Sequence, residues 1–168
     1  MFFIKSGCGY FFRITIVSPL FQARSKISSR VFQFILYELN KAFPPNNLYK
    51  GYHLIAVDGS EMQIPLDFND PDSTHKSSSK GKFLSAFHLN ACYDILNNRY
   101  LDTTIQGIHS KNEVEAMWKI IERFHDDNAI FIADRNYATW NNMAHIIHSG
   151  KSFLIRVKDI HSISSLLR

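Results

Sequence analysis

A chain of 168 residues with 45% hydrophobic and 20% charged content carries enough apolar side chains to bury one core, and one domain is the expectation. Lys and Arg number 19 against 15 Asp and Glu, giving +4 and a pI near 9.1, a balance that suits a polyanionic partner and falls short of a dedicated basic arm. The two cysteines, Cys8 and Cys92, lie far apart and form no CxxC pair, which argues against a disulfide framework or a thiolate zinc site and fits a reducing cytoplasm.

The first twenty residues are apolar and aromatic, but Lys5 and Arg13 interrupt them and no small-residue cleavage site follows a basic start. Neither a signal peptide nor a membrane span is expected there, because the apolar stretches are far below the roughly 18 to 20 residues that a spanning helix needs. A strand or hairpin is the simple reading, and a misplaced or truncated start is the other. From Ser28 the pattern turns helical: Val31, Phe32, Ile35, Leu36, Leu39 and Phe43 recur at spacings of one, three and four, and Pro44-Pro45 stops the run. Tyr52 to Val57 is a short β-prone run expected to end at Asp58-Gly59-Ser60, which leaves the aspartate at a strand end as the chain turns.

Asp67 to Lys82 is rich in Ser, Asp and Lys and reads as one long surface loop. A second strand is predicted from Phe83 to Tyr93, with Phe83, Phe87, Leu89, Ala91 and Tyr93 at alternating positions. Asn97-Asn98 turns the chain into a third strand near Tyr100 to Gln106. Ser110 with Glu113 is read as a capping box, opening a helix with Val114, Met117, Trp118, Ile121 and Phe124 on one face. Ala129 to Ala133 is a compact buried strand ending at Asp134. Thr139 caps a helix carrying Trp140, Met143, Ile146 and Ile147, Gly150 supplies its stop, and Ser152 to Val157 forms the fifth strand.

The order is strand, strand, strand, helix, strand, helix, strand, with an acid at the end of the first and fourth strands. It predicts an α/β fold with an RNase H-like mixed sheet, incomplete at the C-terminus, in which the first three strands are antiparallel and the first and fourth lie side by side. Asp58 and Asp134 would then meet in space. Two Mg²⁺ ions about 3.5 to 4 Å apart can run phosphodiester cleavage and transfer, and this hard cation wants oxygen ligands, so a few carboxylates on rigid strands suffice. Asp58 would bridge both ions and Asp134 would hold one. Taken singly, each aspartate also has a plainer reading as a turn former hydrogen-bonded to its own backbone, which Asp58-Gly59 invites.

The words around these acids resemble the DDE transposase domain of bacterial insertion sequences, in the branch named after insertion sequence four. Leu54 to Ser60 (LIAVDGS) is similar to that family's first-aspartate motif, Ile132 to Tyr137 (IADRNY) to its second, Gly150 to Lys158 (GKSFLIRVK) to the segment that follows, and Phe21 to Phe32 (FQARSKISSRVF) to the lead into its catalytic domain. The resemblance implies DNA transposition by metal-dependent strand cleavage and transfer, with Asp58 and Asp134 as catalytic metal ligands for two Mg²⁺ or Mn²⁺ ions. It implies double-stranded DNA, at transposon ends and target, as partner, a full-length transposase as a further partner in a homo- or hetero-oligomer, and a cytoplasmic, nucleoid-associated protein with no membrane attachment. Residues 1–45 would be an N-terminal segment with the lead-in helix, and 46–168 a partial catalytic domain.

Two departures stand out. Asn136 replaces the glycine that usually follows Asp-Arg in the second motif, a mild change because asparagine tolerates a left-handed backbone. The family's third carboxylate lies on a later helix in a Tyr-x2-Arg-x3-Glu-x6-Lys signature, and no residue here matches that glutamate. A truncated chain, inactive alone, is therefore expected. Lys76, Lys80 and Lys82 in the loop and Arg135, Arg156 and Lys158 near the second aspartate or on the last strand are candidate phosphate contacts, each adding about 0.9 to the slope of log affinity against log salt. A solvated loop, for the lysines, and structural ion pairs, for the arginines, are the alternatives.

His145 and His148 share a helix face without a zinc-like partner, Asp67, Asp70 and Asp72 do not fit an EF-hand loop, and no glycine-rich turn follows a strand. Trp118 and Trp140 are expected to pack in the core. The rival functions are an RNase H-like nuclease, which would share the acids but not the flanking words, and a non-catalytic product that binds DNA or the full-length transposase and inhibits it.

Overall fold

Apolar alternation or short apolar runs make the strands, and three-to-four apolar spacing makes the helices. A computed structural model of the protein describes residues 3–5, 11–13, 23–24, 26–76 and 81–157, and the chain divides into two units, 1–35 and 36–168. In the first unit β1 (Phe3–Lys5) pairs antiparallel with β2 (Phe11–Arg13), Ile4 opposite Phe12, the hairpin expected of this segment. Helix α1 (Arg30–Ala42) stops short of Pro44-Pro45 as the sequence demands. Its apolar stripe is not buried, and Phe32, Ile35, Leu39 and Phe43 stay exposed.

The second unit is built on a mixed sheet of β3 (His53–Ile64), β4 (Thr74–Lys76), β5 (Phe83–Asp94), β6 (Arg99–Gly107), β7 (Ala129–Ala133) and β8 (Ser152–Ile155). Its order is β4-β5-β3-β7-β8, with β6 also paired to β5. The β3, β5 and β6 meander is antiparallel, whereas β7 runs parallel to β3 and β8 parallel to β7. This is the RNase H-like arrangement expected from element order. Helices α2 (Glu113–Arg123) and α3 (Trp140–His148) supply the connections on either side of β7. They cover one sheet face, where Ile55, Val57, Cys92, Met117, Ile120, Ile121, Phe131, Tyr137 and Ile146 form the core.

Local signals account for the element ends. Asn98 takes a left-handed backbone (φ 51°) in the β5–β6 turn, and Gly150 does so (φ 72°) after α3. Thr139 caps α3 by accepting from the Asn142 N–H. The cap of α2 lies two residues past the expected Ser110: Asn112 accepts from the Glu115 N–H, because Gln106 clamps the Asn112 backbone through both amide atoms. The Asp67 to Lys82 stretch is not one loop, since Thr74–Lys76 pairs with Phe83–Ser85 and so covers an edge of β5. Trp118 donates to Asn142 Oδ1 (2.8 Å) and stacks on His145, whereas Trp140 is 68% exposed and is no core residue.

Asp102 joins three elements. Its carboxylate accepts from Tyr37 Oη (2.9 Å) on α1 and Arg123 Nε (2.7 Å) on α2, and it is itself buried on β6. Asp102→Ala is expected to lower the urea-unfolding free energy by about 2 kcal/mol, because it strips a hydrogen-bonded cation of its partner. Glu115→Ala, which breaks the exposed Glu115–Lys119 pair, is expected to cost less than about 0.5 kcal/mol in the same measurement.

Candidate active site

Asp58 does not sit at a strand end. Strand β3 continues through it to Ile64, and Asp58 to Ile64 stay paired with β5, so the Asp58-Gly59 turn expected from the sequence is absent. What ends near Asp58 is the pairing with β7, whose last rung is Ala56 with Ile132. Continuing that parallel register two places brings Asp58 beside Asp134, and the β7–β8 register, Ile132 with Leu154, continued likewise, brings Asp134 beside Arg156. The Arg156 N–H donates to the carbonyl of Ala133, directly before Asp134. The parallel pairings thus end within two residues of Asp58, Asp134 and Arg156, three positions that are distant in sequence.

Both aspartates are exposed. Asp58 Oδ1 accepts from the Gly59 N–H (2.9 Å), and Asp134 Oδ1 accepts from the Asn136 N–H (2.8 Å) as the cap of a single 3₁₀ turn, Arg135–Tyr137. Asn136 thus occupies the glycine position without a positive φ. Each carboxylate has one oxygen fixed by backbone and a second one for a ligand. Asp58 opens into a hollow of about 440 Å³ lined also by Ala56, Ser60, Ala91, Tyr93, Asn98 and Tyr100, on the sheet face opposite α2 and α3. Among the described residues no helix covers that face, and Tyr100, Ile105 and Leu154 are exposed there.

Behind the aspartates, Tyr137 is fully buried and its hydroxyl has no hydrogen-bond partner among the described residues. Burial pushes its phenol well above the ordinary range, and the carboxylates of Glu113, Asp58 and Asp134 push in the same direction. Sequence reading placed Tyr137 in a motif but gave it no role, and it passed over Glu113 as a capping residue and His88 as one position of a strand. The one signal was that His88 and Asn90 put polar groups on every second position of a strand whose other positions are apolar.

The expected cations divide into two groups. Arg135 and Arg156 are exposed next to Asp134, whereas Lys76 and Lys82 are exposed at the far end of the β3–β5 ribbon, about 25 to 30 Å along the strand from Asp58 at about 3.3 Å per residue. Lys80 and Lys158 lie outside the described residues. His145 pairs only loosely with Glu122 (4.0 Å), and among the described residues no three His, Cys, Asp or Glu side chains converge closely enough to cage an ion. Two carboxylates with free oxygens suit a hard, largely hydrated divalent cation, so the aspartate pair fits such an ion as two ligands of an incompletely caged site.

A family model described as the transposase DDE domain matches residues 49–164, more than half of the chain. The chain belongs to this family. No curated protein matches it. The match spans all six strands of the sheet and both covering helices, so the DDE domain and the RNase H-like sheet are the same stretch of chain. The reaction of DDE transposase domains is DNA transposition, a polynucleotidyl transfer that generally uses a divalent metal. No helix among the described residues is long and apolar enough to cross a membrane.

Proposed function

We propose that this chain serves metal-dependent DNA strand cleavage and transfer at insertion-sequence ends, as the Asp-Asp part of a transposase of the insertion sequence four branch. The observation that supports the reading is the parallel register of β3, β7 and β8, which ends within two residues of Asp58, Asp134 and Arg156. Asp58 and Asp134 would hold Mg²⁺ or Mn²⁺, which when bound supplies charge neutralisation at the scissile phosphate and an activated oxygen. The protein's own part is positional: the Gly59 and Asn136 N–H groups fix one oxygen of each carboxylate, and the rigid strands fix their spacing. Arg135 and Arg156 offer guanidinium groups to the phosphates flanking the scissile bond.

Lys76 and Lys82 would hold the duplex farther out by charge, and Lys80 and Lys158 are further phosphate contacts read from the sequence, all giving affinity without sequence reading. Residues 1–45 then act as lead-in segment and 46–168 as the catalytic-domain portion. The third carboxylate belongs to a signature that these 168 residues do not contain, so the polypeptide by itself is expected to bind DNA and metal without cutting. Supercoiled plasmid incubated with the purified chain and Mg²⁺ or Mn²⁺ should stay intact, while filter binding shows salt-dependent retention of duplex DNA. Robust metal-dependent nicking that disappears in Asp58→Ala would overturn the inactivity and favour a self-sufficient nuclease. DNA retention that is insensitive to salt would remove the phosphate-binding role.

A further inference from the structure

The sheet face behind Asp58 is polar where a core is expected. Gly59 points its α-carbon to that face, and a Cβ built there would lie 2.6 Å from His88 Nε2 and 3.0 Å from both Asn90 Oδ1 and Glu113 Oε1. The first distance is shorter than real Cβ atoms show and the other two are tighter than most, so three side chains converge on the one residue that follows Asp58. His88 and Asn90 are buried and have no room to spare, and Glu113, 30% exposed, follows Asn112, whose backbone Gln106 clamps. Lys111, two residues before Glu113, bonds Glu61 on β3 (2.9 Å) and holds its carboxyl below the usual range, so the turn ahead of α2 is tied to that strand as well as to β6.

His88 Nε2 lies 3.2 Å from Glu113 Oε1, a contact that attracts when the ring proton is on Nε2. Asn90 donates to Gln106 Oε1 (3.2 Å) and the Thr104 carbonyl (3.4 Å), and turns its oxygen, which has no donor, toward Gly59. Burying an imidazole and an amide with unmet valences costs stability relative to apolar residues of similar size. Such a cluster makes physical sense where it fixes geometry. The Gly59 N–H is the donor that orients the Asp58 carboxylate, so whatever fixes Gly59 fixes that oxygen.

We propose that His88 and Glu113, bearing on Gly59, are positioning residues for Asp58: together they set the strand backbone so that the Gly59 N–H holds the Asp58 carboxylate in its metal-binding orientation. The inference rests on the reading of Asp58 as a metal ligand. Outer-shell partners of this kind typically change metal affinity about 10- to 100-fold. Their influence passes through the backbone of Gly59.

The test is a Mn²⁺ titration of the whole 168-residue chain, followed by the free-ion EPR signal, with thermal melts in the absence of metal. His88→Met and Glu113→Gln are expected to weaken Mn²⁺ binding about tenfold, while His88→Gln, which returns an N–H near the position of Nε2, recovers most of it. Metal-free melting should differ little among the three. Unchanged affinity in His88→Met would overturn the proposal, and so would loss in Glu113→Gln alone, which would mean that Glu113 acts by its charge rather than through His88. Equal loss in His88→Met and His88→Gln, with both melting lower, would reduce the cluster to packing. If Asp58→Asn itself leaves Mn²⁺ binding intact, the failure lies in the reading of Asp58 as a ligand, a result distinct from the others.

Discussion

Asp58→Asn is expected to weaken Mn²⁺ binding by the purified chain at least about 100-fold, more than an outer-shell change, because on the proposed reading it removes one of two charged ligands. The substitution is nearly isosteric, and the asparagine carbonyl can still accept from the Gly59 N–H, so the local backbone is unaffected. Asp134→Asn should behave alike, since asparagine is as good a cap as aspartate for the 3₁₀ turn. Metal-free stability is expected to hold or rise slightly in both, as each removes one of two like charges at neighbouring positions. Calorimetric titration with Mn²⁺ and a thermal melt without it read the two effects separately. Lower metal-free stability with unaltered Mn²⁺ binding would make Asp58 a structural residue and end the active-site reading.

Phe131→Ala carries the largest expected loss of stability, about 3 to 5 kcal/mol against a total of about 5 to 15 for a domain. Phe131 is fully buried on the central parallel strand, in register with Ile55 on one side and Phe153 on the other, and edge-on to Phe124 at 5.7 Å. Truncation leaves a cavity between sheet and helix α2 that a strand bonded on both edges cannot close. The urea midpoint should fall with little change in slope. Leu154→Ala, on the uncovered face of β8 and 62% exposed, should cost under about 1 kcal/mol and serves as the contrast. Comparable losses at the two positions would mean that the face around Asp58 is covered in solution.

Much of this architecture was legible because it is written in short-range chemistry. A period-two run gave β5, an Asn-Asn turn joined it to β6, a compact apolar run gave β7, Thr139 and Gly150 bounded α3, and the double proline bounded α1. Errors fell where a short-range cue met a longer-range partner. Ser110 has the chemistry of a cap, but Gln106 on β6 selects Asn112 instead. Asp58-Gly59 has the chemistry of a turn, but ten consecutive rungs with β5 hold the chain extended through it. Thr74–Lys76 has a loop's composition, yet the free edge of β5 draws it into the sheet.

The faces of β5 show the same limit. Phe83, Phe87, Leu89, Ala91 and Tyr93 form an apolar row, yet the side packed against α2 is the other one, with Ala86, His88, Asn90, Cys92 and Asp94 buried. Which row is covered depends on where α2 and α3 cross, and no window along β5 contains that information.

The sequence by itself determined the kinds of elements, their order, and the two acids with the words around them, because periodicity, caps and turns act over a few residues. The tertiary structure decided that Asp58 lies within a continuous strand, that the parallel pairings of β3, β7 and β8 end close to Asp58, Asp134 and Arg156, and that His88, Asn90 and Glu113 meet at Gly59. Those outcomes depend on pairing between segments tens of residues apart, and the hydrogen-bond register and packing that select one such pairing exist only once the sheet has formed.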